Sequence, residues 1–303
     1  MGTLDPGMDV TSGDSVGPSL LDRDPKINRP ALDASIDAAV QALFSLQHDD
    51  GHWRAELEGD SILNSEYLLM KWMLGQEDDP RLPKIVEGLR RLYRSDIHGW
   101  GQFPGSGLDV SATVKGYVCL RLAGDAPDEP HMQAIANAIL AHGGAERCNS
   151  FTNFYLAGVG MIEWDAVPAI PPEMIWLPRW SPFHLDHVSS WTRTMILPLA
   201  ICTATRPVRH LPDLISIEHL FCNPDLQSRL AKPWRRDGQF GPVNWNNTFL
   251  IADRILKRLQ HAGAIPTRKQ AIEEAVAWIL ERVNPKHTEG LGAIFPPMVC
   301  IQV

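Results

Sequence analysis

The chain has 303 residues, a net charge of −8, 44% hydrophobic residues and 21% charged residues. That balance is globular, with room for one large domain or two small ones, and it excludes the basic surface of a nucleic-acid binder. The five cysteines include no CxxC pair, which argues against a disulfide framework or a structural zinc site and fits a reducing compartment.

Residues 1–30 are rich in Gly, Ser, Asp and Pro and read as a disordered lead-in without the pattern of a signal peptide. Helical periodicity then predicts a helix over 32–47, with Ile36, Val40, Leu43 and Phe44 largely on one face. A second helix over 61–74 is apolar enough to be buried almost all round, and further helices are expected over 81–94, 109–123 and 131–142. Asp109 or Ser111 is placed to cap the helix over 109–123, and Gly143 with Gly144 ends the next. Segments 151–162 and 188–205 read as buried helices, the second kinked or divided at Pro198. Between them IPPEMIWLPRWSPFHL reads as an ordered loop wall. Residues 213–247 are irregular, with turn signals at Asn223-Pro224 and Asp237-Gly238, before helices resume at 248–262 and 267–283. No apolar run reaches about 18 residues, so no spanning helix is expected.

Three segments repeat a pattern: AAVQALFSLQHDDGHW (38–53), IVEGLRRLYRSDIHGW (85–100) and AVAWILERVNPKHTEGLG (275–292). Each is an amphipathic helix, a polar turn, then Gly followed by Trp or Leu. The physical expectation is that Gln47 caps helix-end carbonyls, Gly51 takes a left-handed backbone, and Trp53 stacks over the glutamine. Gly99 and Trp100 occupy the same places in the second copy, with Tyr93 or Arg94 at the glutamine position. In the third, Val283 and Leu291 stand at the glutamine and tryptophan positions. Helix pairs at recurring spacing predict an all-α protein, a helical array or α/α barrel.

The turn resembles the QW motif of the squalene–hopene cyclase family of triterpene cyclases. PAIPPEMIWLP (168–178), SSWTRTMILPLAI (189–201), RPVRHLPDLISIEHLF (206–221), GAIFPPMV (292–299) and LDVSATVKGYVCLRLAG (108–124) are similar to segments of those enzymes, in the same order. The resemblance covers roughly 35–299 and implies an α/α barrel domain over 31–299, with 300–303 beginning the following segment. It implies acid-initiated cyclisation of squalene or a related polyprenoid, with no metal and no redox cofactor. The acid would sit in a DxDD motif that this chain does not contain. The chain alone is therefore expected to have no catalytic residue and to supply one wall of the cavity. Its partners would be the polyprenoid and a C-terminal cyclase domain, in cis or in trans, with the complete enzyme cytoplasmic or peripheral on the inner face of a membrane.

By the same resemblance, Trp191, Thr192, Ile294, Phe295 and Pro296 match cavity-wall positions, and Val188 and Ile196 match a constriction of the entry channel. Family members carry a polar, water-holding network of two glutamates, an arginine and a glutamine, where this chain has Asn64, Lys115, Asn153 and Phe295. That joint change implies a different terminating step, a different product, or relaxed selection. Asp49-Asp50 and Asp78-Asp79 read as solvated turn residues rather than a substitute acid. His184-Leu-Asp186-His187 has the donors for zinc but lacks a third spaced ligand. The protein prenyltransferase β-subunits, also α/α barrels, need an Asp/Cys/His zinc set with no counterpart here. The alternative function is a non-catalytic isoprenoid-binding subunit that pairs with a separate DxDD-bearing chain.

Overall fold

The computed structural model describes residues 28–54, 60–212, 215–235, 244–283, 291 and 295–303. The expected lead-in, apart from 28–30, lies outside them, as do Asp237-Gly238 and Ile294. Among the described residues the regular structure is helical, with two isolated β-bridges and no strand. The helices are α1 (Arg29–Ser45), α2 (Ser61–Met73), α3 (Leu82–Arg91), α4 (Val110–Leu122), α5 (Pro130–Ala141), α6 (Ser150–Gly158), α7 (Ser190–Thr205), α8 (Trp245–His261), α9 (Arg268–Arg282) and α10 (Phe295–Cys300). The chain divides into two compact units, Met1–Glu58 and Gly59–Val303.

In the first unit α1 begins at Asn28, whose side-chain oxygen accepts the Ala31 N–H, and it carries a proline in its first turn. Both features favour helix initiation. The turn that follows holds Gly51 at φ +90°, the left-handed conformation expected for it.

In the second unit α4 is the central helix. Every residue from Ser111 to Leu120 is buried, because α2, α3 and α5 pack around it. Asp109 is its cap, accepting the Ala112 N–H at 2.7 Å, whereas Ser111 Oγ accepts from the Asn149 N–H at 2.9 Å and ties α4 to the start of α6. Gly143 and Gly144 end α5 at φ +95° and +77°. The main core joins α2, α4, α5 and α6 to the loops over 162–167 and 211–221. A smaller core holds Leu185, Leu197, Ala275, Ile279 and Leu291, seating α7 on α9.

Three local expectations change. The helix α7 runs undivided through the buried Pro198, since packing on both α9 and α10 supports the turn that lost its N–H donor. One side of α2 faces outward at Leu63, which is 45% exposed, so this helix is not buried all round. Asp79 is not a solvated turn residue: its carboxylate binds Arg81 at 2.6 Å and Lys71 at 3.1 Å. The Arg81 bond holds the Asp79 carboxyl well below the usual carboxylate range. The loop wall is built from short 3₁₀ turns at Pro172–Trp176 and Leu185–His187.

Candidate functional site

The two intact turns share a backbone plan. Gln47 and Trp53 form one isolated antiparallel bridge, Arg94 and Gly99 the other. In both, the indole N–H of the tryptophan reaches back to a carbonyl of the preceding helix: Trp53 to Leu43 O at 2.7 Å and Trp100 to Leu89 O at 2.9 Å. Gln47 Nε2 instead donates to Gly51 O at 2.7 Å and closes its own turn. The helix-end cap expected of Gln47 is therefore made by Trp53, because the long indole spans the turn while the amide stays local. Trp53 packs its ring near Phe44, with centroids 6.5 Å apart.

In the second copy Trp100 is 1% exposed. The absence of a side chain on Gly116 lets the Trp100 ring lie against α4: a Cβ there would stand 2.6 Å from Trp100 Cζ3. Gly99 is equally constrained, since a Cβ would meet Thr113 at 2.8 Å. Arg94, at the glutamine position, binds Asp96 and Ser106 O, and Tyr93 meets Trp100 edge-on. Each of these turns is tied by its tryptophan to the helix before it.

The polar positions do not converge as a set. Lys115 on α4 is 1% exposed and pairs with Glu66 on α2, Nζ to Oε1 2.5 Å, with Glu66 also buried. Tyr155 on α6 completes this group, its ring 6.0 Å from Lys115 Nζ. Burial, with the Glu66 carboxylate beside it, pushes the Tyr155 hydroxyl above the ordinary tyrosine range. Asn153 turns away and donates to Ala166 O at 3.0 Å. Asn64 faces α3, its Nδ2 lying 3.3 Å from where a Gly88 Cβ would stand. Sequence reasoning missed Glu66, although a lone carboxylate in the apolar stretch SILNSEYLLMKWM is itself a signal of a buried pair.

Thr192 and Ile196 lie one helical turn apart on one face of α7, and Trp191 stands about 100° around the helix from Thr192. Trp191 is 52% exposed, and Thr192 and Ile196 are half-buried, as is Val188 just before the helix. The Ser189 side chain caps the helix, with Thr192 Oγ1 2.8 Å from its Oγ. Phe295 and Pro296 are half-buried at the start of α10, which packs on α7; Cys202 Sγ donates to Cys300 O at 3.4 Å across that contact. The helices that carry these residues thus pack together, and Trp191 stays exposed. A cavity of about 530 Å³ lies elsewhere, between Leu68, Trp72, Pro80, Val86 and Leu122, and includes none of these residues.

Four carboxyls are held below their ordinary range by cationic partners. Arg209 holds Glu77 down, Arg94 holds Asp96 down, and Arg81 holds Asp79 down. For Asp125 burial pushes upward, but bonds from Arg90 and His131 outweigh it and lower the carboxyl. Burial pushes the Cys148 thiol up to about 12, so this thiol is no nucleophile at neutral pH. Asp125, Glu129 and His131 have donor atoms close enough to hold a metal, but Asp125 already binds the Arg90 guanidinium through both oxygens. His184 and His187 are engaged with the Asp186 N–H and with Ser181 O.

A family model for the squalene–hopene cyclase N-terminal domain matches residues 36–303. The chain is 38% identical to a squalene–hopene cyclase of Zymomonas mobilis over 86% of this chain and 38% of that protein. It is 36% identical to a squalene–hopene cyclase of Bradyrhizobium diazoefficiens over 88% of this chain and 40% of that protein. It is 31% identical to a dammaradiene synthase of Dryopteris crassirhizoma over 89% of this chain and 38% of the relative. The chain therefore spans about two fifths of the length of the curated relatives it matches.

Proposed function

Because the chain belongs to the squalene–hopene cyclase N-terminal domain family, we propose that it supplies one wall of a polyene-cyclising cavity and that the proton donor lies outside it. The observation that carries this reading is the exposed aromatic start of α7. An apolar and aromatic surface at Trp191, Thr192 and Ile196 is held on a capped helix, yet Trp191 is 52% exposed. A surface of that kind suits an apolar chain on one side and a second body covering it. The Trp191 π-face would stabilise cationic character in a folding polyene.

Donating a proton to an alkene requires a carboxyl that is protonated at working pH. The described carboxyls with a resolved shift are lowered instead, each by a cationic partner. This supports a proton donor carried elsewhere, in a continuation of the chain or in a separate polypeptide. The test of the wall is tryptophan fluorescence during titration with squalene in detergent. Trp191→Phe should remove most of the quenching; an unchanged response in that variant would place the polyene elsewhere.

Membrane association is a further part of the proposal. No helix among the described residues is long and apolar enough to cross a membrane. The helix α8, however, exposes Trp245, Phe249, Ile251, Ile255 and Leu259, positions that fall on one continuous side of a 3.6-residue helix. An amphipathic helix with its apolar side outward suits an interface between water and lipid. A polyene substrate would be drawn from that phase.

A further inference from the structure

On the side of α8 next to that apolar stripe lies a cavity of about 210 Å³. Its helix wall is Leu250, Asp253, Arg254, Lys257 and Arg258, spaced three, four, seven and eight residues apart and so on one face. Its other wall is the stretch over 228–232, with Arg229 and Lys232, and Asp165 also lines it. Five cations and two carboxylates thus line it, in a chain whose net charge is −8.

The two carboxylates are already engaged. Asp165 binds Arg206 at 2.9 Å. Asp253 binds Lys257 at 2.7 Å and accepts the Ala169 N–H at 2.7 Å. Lys257 is buried, and it also donates to Asp165 O at 2.8 Å, which commits two of its three N–H groups. Among the described residues, no carboxylate lies within ion-pair distance of Arg229, Lys232, Arg254 or Arg258. Structural ion pairs are mutually neutralising; a concave site with four cations left over is not. We propose that this cavity binds a phosphate-class oxyanion. The guanidinium groups offer paired N–H donors that match phosphate oxygens, and the volume suits one phosphate group rather than a nucleotide. The charges belong to this cavity alone, so the site stands whether or not α7 binds a polyene.

Phosphate chemistry can come from a lipid headgroup or from a free ion, and the experiment separates them. The full chain is titrated calorimetrically at low ionic strength with inorganic phosphate, pyrophosphate and glycerophosphoglycerol. It is also sedimented with vesicles of phosphatidylcholine alone or mixed with phosphatidylglycerol. Tighter binding of glycerophosphoglycerol and of the acidic vesicles identifies a headgroup; tighter binding of phosphate or pyrophosphate identifies a free ion. Either way, Arg254→Gln with Arg258→Gln should weaken binding roughly tenfold or more, whereas the exposed Lys269→Gln, the same charge change per residue at another place, should alter it by less than about twofold. Protection of Lys232 from acylation by pyrophosphate, read by mass spectrometry, gives a result in the unmutated chain. No binding in any arm, or binding and protection indifferent to the two arginines, overturns the proposal. Vesicle binding that ignores acidic lipid, with no binding of phosphate or pyrophosphate, overturns it as well, because the apolar side of α8 would then account for it.

Discussion

Removing one partner of the Lys115–Glu66 pair isolates a charge inside the main core. Lys115→Met keeps the unbranched stem, so little cavity opens, but it strands Glu66, whose side chain is 7% exposed. Solvent cannot reach the carboxylate, and breaking a buried pair in this way costs about 3–5 kcal/mol. For a chain of this size the melting temperature should fall by roughly 6–20 °C. Glu66→Leu alone should be comparably damaging, because the ammonium of Lys115, 1% exposed, is then stranded instead. Combining the two replaces the pair with apolar side chains and should return stability to within about 1 kcal/mol of the starting protein. Denaturant unfolding of the four proteins forms a double-mutant cycle with a coupling of about 2 kcal/mol or more. Single losses below about 1 kcal/mol, or single losses that simply add in the double variant, would refute the account of this pair as a dry, mutually dependent unit.

Three other outcomes follow from the packing. Gly116→Ala gains about 1 kcal/mol of helix propensity but forces a methyl group to 2.6 Å from the Trp100 ring; overpacking of about 1–3 kcal/mol wins, and a more stable variant in urea unfolding would contradict the clamp. Trp100→Phe leaves Leu89 O without its indole donor and should cost about 1–3 kcal/mol, measurable in the same way. Asp125 has a carboxyl lowered from 3.8 in the fold, so its contribution is full above that value and lost as pH falls through the lower folded value. Asp125→Asn should therefore destabilise the protein at neutral pH and flatten the acid limb of its stability profile below about pH 4; an unchanged limb would show that Arg90 and His131 do not hold this carboxylate.

Much of the fold was legible because helix periodicity and capping are local. The ends of α4 and α5 follow directly from Asp109 and the two glycines. The repeat was legible as spacing, yet the roles within it were not: whether Gln47 or Trp53 reaches the helix end depends on side-chain reach across a folded turn. Asn64 and Glu66 show the limit most clearly. They are two residues apart on α2, about 200° around a helix, so one faces α3 and the other the core. Pro198 looked like a break because its lost hydrogen bond is local, while the packing that carries α7 through it is tertiary. The cationic cavity was invisible for the same reason: Arg229 and Lys232 come from an irregular stretch, and only folding sets them against α8.

The central claim is that this domain shapes a polyene without protonating it. Its most direct test is product analysis by mass spectrometry after incubation with squalene, for the chain alone and for the chain mixed with a separately produced C-terminal cyclase segment that carries a DxDD motif. The account predicts no cyclised product from the chain alone and cyclised product from the mixture. Cyclisation by the chain alone would contradict it.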